Sequence, residues 1–127
     1  MNKLIIDAAL DKIFFMIISK DINHNITYEN TKINYEKLSI LISDFLNSKN
    51  LNFRKISKIY VNRGPGSFAG IRNSLSVVKA IRLVNKTDYY SFSFEDFPEE
   101  NDNNYQNIPH LCEKYGIKKN LINPIYL

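Results

Sequence analysis

Tryptophan is absent from these 127 residues, cysteine occurs once, and glycine and proline occur four times each. A single cysteine, Cys112, has no partner for an intramolecular disulfide and builds no thiolate metal site. That fits a reducing compartment. No block of like charge occurs either. Lysines are spread from Lys3 through Lys12, Lys37, Lys55 and Lys79 to Lys119, and a net charge of +4 makes the chain only mildly basic. A dedicated nucleic-acid binder carries a clustered basic stripe; this distribution supports weak, general attraction to RNA and no more. Long apolar runs are missing as well. The N-terminal stretch "MNKLIIDAALDKIFFMIISK" is broken by Asp7 and Asp11, and neither half reaches the ~18 residues of a membrane span. It reads as two strands and a turn, not a signal peptide, so a cytoplasmic protein with no membrane association is expected.

What is present suits one soluble domain: 44% hydrophobic and 24% charged residues, with 13% Phe and Tyr to fill a core. "KLIID" (Lys3–Asp7) and "KIFFMIIS" (Lys12–Ser19) read as buried strands, and "NITYEN" (Asn25–Asn30) alternates like a half-exposed one. The close spacing predicts an antiparallel meander. A helix follows, with Asn34 as N-cap and Tyr35, Leu38, Leu41, Ile42, Phe45 and Leu46 on one face, Ile40 on the other. "KISKIYVN" (Lys55–Asn62) is a strand, a second helix runs from about Ser67 to Val84, and "TDYYSFS" (Thr87–Ser93) is a further strand. The β-β-β-α-β-α-β order is that of a ribonuclease H-like lobe, an α/β fold with a mixed sheet over residues 1–97. Residues 98–127 read as a polar linker (Pro98–Asn107), a short helix started by Pro109 and stopped by Gly116, and an extended tail "NPIYL" packed on the same domain.

Three of the four glycines, Gly64, Gly66 and Gly70, fall in "NRGPGSFAGIR" (Asn62–Arg72), between a strand and a helix. Glycine permits close backbone approach, Ser67 can cap the helix, and free N–H groups at a helix start attract anions. A phosphate site is one reading; a tight, well-capped turn is the other. The phosphate-binding lysine of a Walker loop is missing, since Ile71 follows Gly70, and the dinucleotide fingerprint fits only loosely because Ala69 stands at its third glycine. On the following helix Phe68, Ile71, Leu75 and Val78 make an apolar row. Beside it run the small residues Ala69, Asn73, Ser76 and Ala80, with Gly70, Ser74 and Val77 flanking the apolar row. Small side chains let another helix approach closely, whether the first helix of the same chain or a partner's.

Signs of catalysis are few. His24 and His110 form no local triad or metal spacing. Asp7 ends the first strand, where acids bind metal or polarise water in many enzymes. With only Asp11 near it in sequence, the alternative is that both serve a turn.

"NRGPGSFAGIR" strongly resembles the signature of the TsaB (YeaZ) family of tRNA threonylcarbamoyladenosine biosynthesis proteins. "LIIDAA" looks like that family's opening, "SFSFEDF" resembles a later family segment, and "NPIYL" resembles its C-terminal residues. The resemblance covers about residues 1–97 and the last few. It implies an actin-like/Hsp70-like ATPase fold, a non-catalytic role, and pairing through the two helices with a catalytic TsaD-like subunit. A TsaE-like ATPase joins them, ATP is used by the complex with no cofactor on this chain, and tRNA is met indirectly. The contact residues implied are Ile40, Ser43, Phe68, Ala69, Gly70, Asn73, Ser74, Ser76, Val77 and Ala80, and the signature loop comprises Arg63, Gly64, Pro65, Gly66, Ser67, Phe68, Gly70, Ile71 and Arg72, with no metal site. Departures matter. Much of the family's second lobe is expected to be missing between about Phe97 and Ile108. "DAAL" (Asp7–Leu10) lacks the Gly and Thr of the family relatives' phosphate loop, Ala69 replaces a Thr, and Asn73-Ser74 replaces Ile-Gly. All of these argue against nucleotide hydrolysis. Two other readings stay open: a small nucleotide-binding protein or ATPase using Asp7 and Gly64–Ser67, and a homodimeric module.

Overall fold

A computed structural model describes residues 1–100 and 104–126. Five strands, β1 (Asn2–Asp7), β2 (Lys12–Ile18), β3 (Asn23–Glu29), β4 (Ile56–Asn62) and β5 (Asp88–Phe92), form one sheet in the order β3-β2-β1-β4-β5. Tight turns join β1 to β2 and β2 to β3, so these pairs are antiparallel. Helical crossovers separate β4 from its sheet neighbours β1 and β5, so those pairs are parallel. β1 lies at the centre. Its Leu4, Ile5 and Ile6 are fully buried, because alternate side chains meet cover on both faces, and the strand therefore reads as an unbroken apolar run. β3, at one edge, alternates exposed and half-buried residues instead.

One face of the sheet packs against α1 (Lys32–Glu36), α2 (Leu38–Ser48) and α3 (Phe68–Asn85). Leu4, Ile6, Phe15, Ile59 and Val61 meet Tyr35, Leu38, Ile42, Phe45, Ile71 and Val78 there. On the second face Ile5, Met16, Tyr60 and Phe92 are covered by Phe97 and by Ile108, Leu111 and Cys112 of α4 (Ile108–Lys114). Each fully buried aliphatic or aromatic side chain contributes about 1.5–3 kcal/mol, which makes this two-sided core the main source of stability.

Three expectations need correction. The first helix does not begin at Asn34. Thr31 is its N-cap, its hydroxyl accepting the Asn34 N–H at 3.2 Å, while the Asn34 amide donates to the Glu29 carbonyl at 2.9 Å. The helix also breaks at Lys37 (φ −114°, ψ 30°), giving α1 and α2 in place of one rod. Its apolar face survives the break, with Tyr35, Leu38, Leu41, Ile42, Phe45 and Leu46 all buried and Ile40 58% exposed.

The linker read over Pro98–Asn107 falls partly outside the described residues, at 101–103. Where described it is structured. Tyr105–Asn107 forms a 3-10 turn, and Tyr105 stacks on Phe14 with ring centroids 4.2 Å apart. One aromatic ring here outweighs a polar composition. α4 then ends as Gly116 takes a left-handed φ of +66°, and the Gly116 and Ile117 N–H groups bond back to the Glu113 and Cys112 carbonyls.

Candidate functional site

The glycine loop, the β1–β2 turn and the C-terminal tail meet at the C-terminal ends of β1 and β4. Parallel pairing sets Ile6 beside Val61, which brings the next residues, Asp7 and Asn62, together. The Asn62 amide donates to Asp7 Oδ2 at 3.0 Å, and its Oδ1 accepts the Gly64 N–H at 2.8 Å. Asp7 Oδ1 accepts the Ala9 N–H at 3.0 Å, and the Tyr105 hydroxyl donates to Oδ2 at 2.6 Å. Asp7 is fully buried. Burial pushes its carboxyl above the ordinary range, against the downward pull of Tyr105, Asn62 and the Ala9 and Leu10 amides. Both oxygens are occupied inside the fold, and Asp11 is exposed on the turn instead of joining Asp7. Among the described residues no cluster of His, Cys, Asp and Glu could hold a metal ion.

The glycines serve this packing. A Cβ on Gly66 would collide with the Ala9 carbonyl, and one on Gly70 with the Ala8 carbonyl and Tyr35. Gly64 has φ +113°, and a Cβ there would collide with the Ile125 carbonyl. The Ser67 N–H donates to the Ala9 carbonyl at 2.8 Å and the Ser67 hydroxyl caps the Gly70 N–H at 3.1 Å. The amides of Gly64, Ser67, Gly70 and Ile71 are thus all bonded within the chain.

Arg63 ties the loop to the C-terminal part of the chain. Its guanidinium binds Asp96 at 2.7 Å and the Asn123 carbonyl at 3.0 Å, its own carbonyl accepts the Ile125 N–H at 2.8 Å, and Gly66 forms a bridge with Tyr126. Pro65 and Ser67 are half-buried in the same turn, Ile71 is buried behind it, and Arg72 is exposed. Sequence pattern alone does not reveal Tyr105 and the tail as partners of this corner. Asn62 carries a signal: it follows the strand residue that pairs with the neighbour of Asp7.

α3 shows which contact residues reach the surface. Gly70 and Ser74 do not; both are buried, and the Ser74 hydroxyl donates to the Ile71 carbonyl at 3.1 Å. Contrary to expectation they offer nothing to a partner, since their small size serves close packing inside the chain. Val77 is half-buried against the core, and the Asn73 amide donates to the Tyr35 carbonyl at 3.2 Å, joining α3 to α1. Ala69, Ser76 and Ala80 lie open on the outer side, with Phe68 58% and Leu83 74% exposed beside them. On the neighbouring helix Ile40 is exposed and Ser43 half-buried.

The sheet order, two hairpins followed by two parallel crossovers, and the helices on both faces define a ribonuclease H-like fold. The family model for TsaD, tRNA N6-adenosine threonylcarbamoyltransferase, matches residues 30–91. YeaZ from Pseudomonas aeruginosa superposes with a TM-score of 0.66 at 17% identity, over 72% of this chain and 43% of that one. A second P. aeruginosa structure, of a protein described as similar to peptidase YeaZ, matches with the same TM-score, identity and coverage. The fold is YeaZ-like, and the chain spans less than half the length of these structures. RuvC from Thermus thermophilus shares the fold more distantly, with a TM-score of 0.50 at 10% identity, over 93% of this chain and 82% of that one. No curated protein matches.

Proposed function

We propose that this chain is a non-catalytic scaffold in the synthesis of threonylcarbamoyladenosine on tRNA, at the adenosine next to the anticodon, acting in the cytoplasm. It docks on a TsaD-like catalytic subunit through the outer side of α3 together with α2. The observation that carries this reading is the contrast between two ends of one loop. The Asp7 corner is closed, its carboxylate and the amides of Gly64, Ser67, Gly70 and Ile71 bonded inside the fold. The helix that the same loop starts presents a row of short side chains, Ala69, Asn73, Ser76 and Ala80, rimmed by exposed Phe68, Leu83 and Ile40. Short side chains let a second helix come close, and the apolar rim supplies the area that stabilises contact. In this reading ATP is handled by other members of the complex, among them a TsaE-like ATPase, with no cofactor on this chain. The tRNA is met indirectly, through the complex.

Size-exclusion chromatography with light scattering, on this chain mixed with the TsaD-like protein of the same organism, is the test. A one-to-one complex is expected from the wild type. Ser76→Arg and Ala80→Arg, both at exposed positions, should abolish it while leaving the melting temperature unchanged. A complex that survives both substitutions refutes the docking surface, and no wild-type complex at all refutes the scaffold. The same measurement on the chain alone reads out a homodimer, which the exposed face would equally permit. An ATPase at Asp7 and Gly64–Ser67 is disfavoured by the closed corner.

A further inference from the structure

The opposite end of the sheet holds a groove of about 720 Å³ that none of the preceding chemistry uses. It lies on the second face, where α4 stops short of the N-terminal ends of β1 and β4. Lys3, Lys58, Tyr60 and Tyr90 form its floor, and His110 and Glu113 of α4 stand along one wall, with Gln106 nearby. A volume in this range suits a small ligand of nucleotide size.

The floor is built in a way a solvated surface does not require. Lys3 and Lys58 are direct register partners on adjacent parallel strands and line the same groove. Both are half-buried, and among the described residues neither has a carboxylate within 4 Å. Lys58 is also in register with Asp88 of β5, but that carboxylate is engaged by Arg82, Asn120 and Lys119. Like charges side by side on neighbouring strands are destabilising, so an anion placed between Lys3 and Lys58 would relieve the fold as well as bind. The next register pair on the same face, Tyr60 and Tyr90, is stacked, with ring centroids 5.1 Å apart and planes 13° from parallel. Lys58 Nζ lies 5.9 Å from the Tyr90 ring centroid, which places a cation and a flat aromatic surface within one ligand's reach. Among the described residues no strand lies beyond β5, and half-buried Tyr90 keeps part of its ring open to the groove. Glu113 is the one acid on the lining. It makes the site unsuited to a bare multivalent anion, and with Gln106 it offers acceptors to hydroxyl or N–H donors.

Cation pair, flat ring and acceptors together describe one ligand chemistry. We propose that this groove binds a nucleoside monophosphate, with its phosphate on Lys3 and Lys58 and its base against Tyr90. Gln106 and Glu113 are left for the sugar and the base edge. The unit is a free nucleotide or one residue of a single RNA strand. This site is separate from the Asp7 corner, and it does not rest on the scaffold reading.

Isothermal titration calorimetry at low salt tests it, with AMP, adenosine, inorganic phosphate and a five-residue oligouridylate as probes. The wild type should bind AMP more tightly than either adenosine or phosphate. Lys3→Gln with Lys58→Gln should weaken AMP about 100-fold, about tenfold for each lysine charge removed. The same double variant should melt no lower than the wild type, because it also removes the like-charge pair. Binding of AMP or of the oligonucleotide that disappears in the double variant supports the site, and the tighter of the two names the source. The proposal is overturned if a folded wild type binds neither, if the lysine substitutions leave binding unchanged, or if phosphate alone binds as well as AMP.

Discussion

Replacing Tyr105 by Phe isolates one bond at the closed corner. The ring stays: it stacks on Phe14 at 4.2 Å and meets Phe94 edge-on at 5.7 Å. The hydroxyl goes, and with it a 2.6 Å hydrogen bond to a fully buried carboxylate. A hydrogen bond to a charged group contributes about 1.5–3 kcal/mol, so a loss of about 2 kcal/mol is expected at pH 7.5. For a domain of this size that lowers Tm by roughly 7 °C. The loss must also depend on pH, with a definite sign. Burial raises the Asp7 carboxyl above its ordinary value of 3.8. A raised acid stabilises the fold fully below 3.8, and that contribution is lost as pH rises through the folded value. Tyr105 bonds best to the ionised form and pulls the folded value down, which limits the loss at neutral pH. Without the hydroxyl, stability should fall more steeply with rising pH, so the variant is damaged more at pH 7.5 than at pH 4. Urea unfolding at the two pH values measures this. Equal losses at both would show that the acceptor is not a carboxylate titrating in this window. No loss at either would mean that the 105–107 turn does not dock on Asp7.

Three further perturbations read other parts of the same packing. Gly70→Ala places a Cβ against the Ala8 carbonyl and should destabilise by about 4 kcal/mol or more, visible as loss of soluble protein or of a cooperative melt, whereas Ser76→Ala on the outer side should shift Tm by no more than a degree. Arg63→Met keeps the aliphatic stem but breaks the ion pair with Asp96, whose side chains are 14% and 19% exposed; a loss of about 3 kcal/mol is expected, with limited proteolysis near residues 121–126 speeding up first. Cys112 is buried, and burial pushes its thiol up to about 12, so a thiol reagent at pH 8 should label it only as fast as the second face opens, and rapid labelling of the native chain would contradict that burial.

Strand and helix order is legible in the sequence because each element announces itself by a period: unbroken apolar runs for the central strands, alternation for β3, and a helical rhythm from Tyr35 to Leu46. The break at Lys37 is not, since the apolar face continues through it and only the backbone departs. Asn34 misleads for a related reason. Asn and Thr both cap helices, and the choice of Thr31 depends on the preceding strand, whose Glu29 carbonyl takes the Asn34 amide. At the site, the glycine cluster is visible but its purpose is not. Whether a missing Cβ makes room for a ligand, a partner helix or the chain's own backbone depends on what lies opposite, and here that is Ala8, Ala9 and Ile125, residues far away in sequence. Tyr105 hides in a polar stretch for the same reason: its partner Asp7 is 98 residues away.

The same long-range contacts explain how a glycine-rich loop of phosphate-loop type can serve the chain's own packing. A loop that binds an anion must keep its N–H groups unpaired until the ligand arrives, and that leaves the empty protein with unsatisfied donors. Here the turn after β1 carries Ala8 and Ala9, so its backbone can lie directly on the glycines, and the Ala9 carbonyl takes the Ser67 N–H that an anion would need. The loop then gains its bonds on folding and holds the start of α3 rigidly. A rigid helix with a short-chain outer row suits docking, because little freedom has to be lost when a partner arrives. The closed corner and the open helix are thus two consequences of one packing choice, and a substitution that reopened the corner would be expected to loosen the helix as well.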